Sequence, residues 1–182
     1  LPMFIAMDPP VHDEQRKTVQ GSVAPANLKL MEETIRSRTQ QVLDDLPIRE
    51  QFDWVDRVSI ELTTQMLATL FDFPFEDRRK LTRWSDVATG DEESGIVESE
   101  EARQAELYEC LEYFTRLWHE REEQGERNDL VSMLAQGEAT KNMTPQEYLG
   151  NLILLIVGGN DTTRNSMTGG VWALNQNPGE YA

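Results

Sequence analysis

The residues with the clearest chemical potential are residues 158–163 (GGNDTT), near the carboxyl end of the chain. Two glycines inside a helical pattern cost about 1 kcal/mol each relative to alanine, and a carboxylate directly after an apolar run needs a partner. The glycines would let a flat or bulky ligand approach the backbone. Thr162 could donate its hydroxyl to the carbonyl of Gly158, opening a groove beside Asp161. Such a groove would suit binding a small polar molecule and passing protons to it.

The same residues also have a purely structural interpretation. Glycines permit close helix packing, and Thr162 could bond to the backbone without any chemical role. Asp161 could form an ion pair with a cation such as Arg164. The motif alone does not decide between the two interpretations.

A second set of candidate residues, His12 and Arg16, follows two consecutive prolines near the amino end. Being four residues apart on a helix, they share one face, and arginine offers a two-pronged, charge-assisted hydrogen bond to a carboxylate. A surface or capping histidine is the alternative for His12. We expect Lys17 to be a solvated or partner-facing charge.

Together the two segments resemble the cytochrome P450 family. Residues 158–163 are similar to the signature of its long distal helix: a small residue, glycine, any residue, an acid and threonine. Residues 7–16 (MDPPVHDEQR) resemble its Asp-Pro-Pro-x-His-x-x-x-Arg segment, and the intervening helix order fits. The resemblance implies a mainly α cytochrome P450 fold, present in part, from helix C to helix I of that family. The carboxyl-terminal haem-ligand region would be missing.

The resemblance also implies a haem cofactor, iron protoporphyrin IX. His12 and Arg16 would bind the haem propionates. Gly158 and Gly159 would line a dioxygen groove above the haem.

Further roles follow from the same resemblance. Thr162 would steer protons to dioxygen, the co-substrate, and Asp161 would relay them from solvent. Leu154 and Val157 would form an apolar wall near an apolar small-molecule substrate.

The family's iron ligand has no counterpart in the chain. After residue 163 neither the Glu-x-x-Arg pair nor the glycine-rich loop with its cysteine follows. Cys110 lies within an apolar helical pattern, so we expect a buried core thiol and no metal ligand. Because the chain begins with Leu1, we expect residues 1–182 to be part of a single cytochrome P450 domain truncated at both ends, inactive alone.

At a finer level, residues 1–10 (LPMFIAMDPP) and 158–166 (GGNDTTRNS) resemble the bacterial alkane hydroxylases. This resemblance implies hydroxylation of terminal C–H bonds of medium-chain alkanes or fatty acids. Electrons from NAD(P)H would arrive through a ferredoxin reductase and a ferredoxin. The alternatives are a cytochrome P450 that hydroxylates a terpenoid or other compact substrate, and a non-catalytic helical interaction module.

Composition limits the classes of function. The formal net charge is −16 and the sequence pI about 4.4, which argues against a nucleic-acid partner because the chain would repel a phosphate backbone. The apolar run at residues 152–157 falls short of the ~20 residues of a transmembrane helix, so we expect no membrane span. A single cysteine suits a reducing compartment, and we expect a cytoplasmic protein.

The elements that must position these residues are helices, since helical periodicity recurs from end to end. The first ten residues are predicted to be extended, and residues 90–101 to form a mobile surface loop leading into a helix. Thr144, with proline next and Glu147 third, predicts a capping box that starts a helix of some 33 residues, about 50 Å long. Other helices are predicted at residues 11–23, 25–46, 58–71, 76–88, 107–118 and 129–135.

Overall fold

The structure, a computed structural model, describes residues 1–125 and 127–181. No strand occurs within these ranges, which confirms the predicted mainly α fold. The α-helices are α1 (Val11–Gln20), α2 (Pro25–Asp44), α3 (Glu61–Phe71), α4 (Arg79–Thr89), α5 (Glu100–Glu122), α6 (Leu130–Gln136) and α7 (Pro145–Gln176). A π-helical segment, Val55–Ile60, runs directly into α3.

The predicted capping box begins α7. The hydroxyl of Thr144 accepts a hydrogen bond from the backbone N–H of Glu147 at 3.3 Å, and Glu147 Oε2 accepts one from the backbone N–H of Thr144 at 2.8 Å. Pro145 occupies the first helical position, where its missing N–H costs nothing. The helix then continues for 32 residues, close to the predicted length.

The hydrophobic core lies against the first half of α7. Leu152 and Ile156 are fully buried in one apolar cluster with Phe71, Trp84 and Phe114, which come from α3, α4 and α5. The buried residues of α7 end at position 160, and its second half is partly or fully exposed. Among the described helices, none is both long enough and apolar enough to cross a bilayer.

A charged cluster joins α3 to α4. Glu61 accepts hydrogen bonds from Arg78 at 2.8 Å, from Arg79 at 2.7 Å and from Gln65 at 2.8 Å. Burial alone would raise the pKa of Glu61, but these donors outweigh it and hold the pKa below its ordinary value. The cluster fixes the position of α4, which packs on α7.

Two connecting segments differ from the sequence prediction. The first ten residues are not extended throughout, because Phe4–Ala6 form a 3-10 turn and Phe4 packs into the core. Residues 90–101 were predicted to form a mobile surface loop, but Val97 within this acidic segment is buried in the core. The side chain of Val97 therefore attaches the segment to the core.

The predicted apolar stripe of α2 exists but is mostly exposed. Only Val42 of that helix is buried, while Leu28, Ile35 and Leu43 keep 43%, 36% and 45% of their surface accessible. Periodicity predicts the stripe correctly, yet it does not predict which element packs on it.

Candidate functional site

The predicted bond between Thr162 and Gly158 is present in α7. The hydroxyl of Thr162 donates to the carbonyl oxygen of Gly158 at 3.1 Å. Both residues are exposed. A polar hydroxyl therefore lies on an open face of the helix, beside a position without a side chain.

The two glycines of the motif face different surroundings. A Cβ atom placed on Gly158 would meet nothing within 4 Å, whereas one on Gly159 would lie 2.7 Å from Cδ1 of Leu67 on α3. Gly158 therefore borders open space, and Gly159 permits the close approach of α3. Only Gly158 has the open surroundings expected beside a bulky ligand.

Asp161 forms an ion pair with Arg164, one helical turn further along. Arg164 also contacts Asp86 on α4 at 2.9 Å, so one guanidinium serves two carboxylates. The side chain of Arg164 is 13% exposed and that of Asp161 is 26% exposed. The ion pair of the structural interpretation is thus present, and Asp161 still reaches solvent.

Sequence reasoning missed Asn160, the variable position of the motif. Asn160 is fully buried, and its Oδ1 accepts a hydrogen bond from the hydroxyl of Thr63 on α3 at 2.9 Å. Its Nδ2 has no hydrogen-bond partner among the described residues. The available signal was helical spacing, since Asn160 comes four residues after the buried Ile156.

His12 and Arg16 share one face of α1, as predicted from their spacing. Nδ1 of His12 lies 2.8 Å from the carbonyl oxygen of Phe4. Arg16 is exposed, and no hydrogen bond within the described residues involves its guanidinium or Nε2 of His12. Both groups are therefore available to a ligand at this face of α1.

The predicted apolar wall lies at the edge of the core. Leu154 and Val157 are both partly buried and pack against the buried cluster. Leu154 precedes Gly158 by four residues, about one turn, and Val157 precedes it directly. Their position is compatible with an apolar ligand beside α7.

Cys110 is a buried core thiol, as predicted from its apolar surroundings. It is fully buried in α5, and burial raises the pKa of its thiol well above the ordinary value. A buried thiol of this kind is a poor metal ligand, because the thiolate is the binding form. Within the described ranges, no group of three or more His, Cys, Asp or Glu residues could hold a metal ion.

These surroundings fit a planar group that carries carboxylates, such as haem. The guanidinium of Arg16 offers donors for a carboxylate, Nε2 of His12 adds one when the ring carries a proton on both nitrogens, and Gly158 leaves the face of α7 open. Thr162 adds a hydroxyl on that open face. The iron ligand of such a group would have to come from outside the described residues.

Two solved structures are similar to the whole chain. Cytochrome P450-153 from Novosphingobium aromaticivorans is 52% identical with a TM-score of 0.87, and the match covers 100% of this chain and 43% of that one. CYP153D17 from Sphingomonas sp. PAMC 26605 is 50% identical with a TM-score of 0.85, covering 99% of this chain and 45% of that one.

Curated relatives also match nearly the whole chain, at lower sequence identity. Linalool 8-monooxygenase of Pseudomonas putida is 30% identical over 179 residues, which are 98% of this chain and 44% of the relative. Steroid C26-monooxygenase of Mycolicibacterium smegmatis is 31% identical over 180 residues, 98% of this chain and 42% of the relative. The chain therefore spans less than half the length of these relatives. No family model matches it.

Proposed function

The chain belongs to the cytochrome P450 family, and from that premise we propose that the complete protein is a haem-dependent monooxygenase of the alkane hydroxylase type. Its substrates are medium-chain alkanes or fatty acids, hydroxylated at a terminal C–H bond. The observation that carries the proposal is the open face of α7, where Thr162 bonds to the carbonyl of Gly158.

Resemblance supports the choice of substrate. Residues 1–10 and 158–166 resemble the bacterial alkane hydroxylases. The high identity to the two P450-153 structures supports placing the chain in the same branch of the family. Leu154 and Val157 supply apolar surface of the kind that a hydrocarbon substrate needs.

In this proposal Asp161 and Thr162 of α7 transfer protons beside the bound haem. When bound, a thiolate-ligated haem supplies the oxygen chemistry that inserts one oxygen atom into a C–H bond. Asp161 takes protons from solvent and passes them towards Thr162, whose hydroxyl delivers them at the open face. Two protons and two electrons reduce the second oxygen atom of O2 to water.

His12 and Arg16 hold the haem through its propionates. Arg16 contributes a charge-assisted, two-pronged hydrogen bond, and His12 contributes Nε2. The electrons come from NAD(P)H through a ferredoxin reductase and a ferredoxin, and the protein works in the cytoplasm.

Two measurements on the complete protein test the proposal. A carbon monoxide difference spectrum of the reduced protein should show the band of thiolate-ligated haem, and its absence would favour a non-catalytic helical interaction module. Incubation with octane and dodecanoic acid should then give products hydroxylated at the terminal carbon. Oxidation elsewhere on these chains would refute the terminal selectivity.

A second candidate is hydroxylation of a terpenoid or another compact substrate. The similarity to linalool 8-monooxygenase over nearly the whole chain favours it. Supplying linalool and octane in equal amounts distinguishes the two candidates. Preferential conversion of linalool would replace the alkane proposal with the terpenoid one.

A further inference from the structure

Buried hydrogen bonds link α7 to the amino-terminal segment and to α1. Asn151 of α7 is fully buried, and its Oδ1 accepts a hydrogen bond from the backbone N–H of Phe4 at 2.8 Å. Its Nδ2 donates to Oε1 of Gln15, a buried residue of α1, at 3.1 Å. One amide side chain therefore holds two different segments.

The same Phe4 also holds His12. The carbonyl oxygen of Phe4 lies 2.8 Å from Nδ1 of His12, and the two rings make an edge contact with centroids 6.1 Å apart. Because a carbonyl can only accept, Nδ1 must be the nitrogen that donates in this hydrogen bond. The bond fixes the orientation of the ring, and in the imidazolium form, which carries a proton on each nitrogen, Nε2 is left to donate to a carboxylate.

The segment that carries Phe4 rests directly on α7. A Cβ atom placed on Gly150 would overlap the carbonyl oxygen of Pro2, so glycine at this position permits the contact. Asn151 and Gly158 are seven residues apart, which places them on one face of α7, about 10 Å apart along its axis. The anchor of His12 and the open position thus lie on the same side of the helix.

We propose that Asn151 is a positioning residue for the carboxylate site formed by His12 and Arg16. It acts through the backbone of Phe4, whose carbonyl oxygen orients the imidazole of His12. This inference rests on the proposed function, because the carboxylate is a propionate of the haem. Asn151 itself touches no ligand.

The test is a double-mutant cycle on the complete haem-loaded protein. The rate of haem transfer to an excess of apomyoglobin is measured for wild type, His12→Ala, Asn151→Leu and the double variant. If Asn151 acts through His12, each single variant releases haem roughly tenfold faster, and the double variant is no faster than His12→Ala alone. Effects that multiply in the double variant would show general destabilisation and overturn the inference.

A second variant covers the case in which Asn151→Leu does not fold. Gln15→Leu removes the other buried hydrogen bond of Asn151 while Oδ1 of Asn151 still accepts from the N–H of Phe4, so haem release should stay within about twofold of wild type. A rise as large as that of His12→Ala would overturn the inference.

The same measurements distinguish a failure of the proposed function from a failure of the inference about Asn151. If the wild-type protein binds no haem, the proposed function itself is wrong. If it binds haem and His12→Ala releases it at the wild-type rate, His12 is not a propionate ligand and only the positioning role of Asn151 is lost.

Discussion

Asp161 and Thr162 are neighbours in sequence but lie in different surroundings. Thr162 is exposed on the open face, and within the described residues its hydroxyl bonds to the carbonyl of Gly158 in its own helix. Asp161 is held by Arg164, which is mostly buried and shared with Asp86. A hydroxyl beside open space and a carboxylate restrained at the edge of solvent suit successive steps of proton transfer.

The first prediction concerns Thr162. Thr162→Ala in the complete enzyme should leave substrate binding largely intact while electrons are diverted into hydrogen peroxide, because protons reach dioxygen in the wrong place. The measurement is peroxide and product formed per NAD(P)H consumed. Thr163→Ala is the matched control, since it removes the same group from the adjacent exposed position. Normal coupling in Thr162→Ala would remove Thr162 from the mechanism.

The second prediction separates the two interpretations of Asp161. Asp161→Asn should slow product formation by about 100-fold, in line with the loss of a positioned proton-transfer group. Asp86→Asn removes the other carboxylate on Arg164 but leaves Asp161 ionisable, so its effect should be much smaller. Equal losses in the two variants, measured as product formation under saturating substrate, would mean that Asp161 serves only as an ion-pair partner.

Whether a residue's hydrogen bond could be predicted from the sequence depended on how far along the chain its partner lies. The bond between Thr162 and Gly158 spans four residues of one helix, so spacing was enough to predict it. Asn160 meets Thr63 across 97 residues, and Asn151 meets Phe4 across 147. Neither contact follows from local spacing, because both depend on how the helices pack.

At the scale of elements, the contact between α3 and α7 gives the motif glycines separate roles. Gly159 lets Leu67 approach the backbone of α7, whereas Gly158 has free space around it. The two positions therefore respond to the same substitution for different reasons.

The third prediction compares alanine at these two positions. Gly158→Ala should be neutral or stabilising by up to about 1 kcal/mol, because alanine is the better helix former. Gly159→Ala should destabilise by about 1 kcal/mol or more, since the new methyl group displaces Leu67. The measurement is the urea midpoint of the complete protein in its haem-free form, where no ligand fills the space beside Gly158. A more stable Gly159→Ala variant would show that Leu67 moves aside without cost.

The start of α7 was predicted from a local signal, the capping box at Thr144. The side chains of Ser99 and Asp129 cap α5 and α6 in the same local way, but neither cap was used in the prediction, and the helix predicted at residues 107–118 begins seven residues after the start of α5 at Glu100. The π-helical segment Val55–Ile60 has no such local signal. Within it, the hydroxyl of Ser59 accepts a hydrogen bond from the hydroxyl of Thr168 on α7 at 2.9 Å, a contact set by tertiary packing.

At the scale of the whole molecule, the core covers one half of α7 and leaves other apolar surface exposed. Trp172 in the second half is 67% exposed, and Leu30 on α2 is 80% exposed. The chain spans less than half the length of its relatives. Haem binding and turnover are therefore expected of the complete protein only.

The fourth prediction concerns the only cysteine of the chain. Cys110→Ala in the complete protein should leave the carbon monoxide difference band of the thiolate-ligated haem unchanged, because the thiol is buried and its pKa is raised by burial. The isolated chain mixed with haemin should not give this band. Loss of the band in Cys110→Ala would identify Cys110 as the iron ligand.

The fifth prediction concerns the charge distribution over the surface. The chain is strongly acidic, and Lys17 is an exposed lysine on α1. If Lys17 contacts an acidic electron carrier, Lys17→Glu should slow reduction by the ferredoxin several-fold at low salt, because an attraction becomes a repulsion. The difference should shrink near 1 M salt, where the Debye length falls to about 3 Å.

Lys29→Glu is the matched control for this prediction. It makes the same change of charge at another exposed lysine, on α2 rather than α1. Stopped-flow reduction rates for both variants, measured across a range of salt concentrations, separate a local docking effect from a change in net charge. If both variants slow reduction equally, the net charge of the protein governs the encounter, and Lys17 is not the docking point.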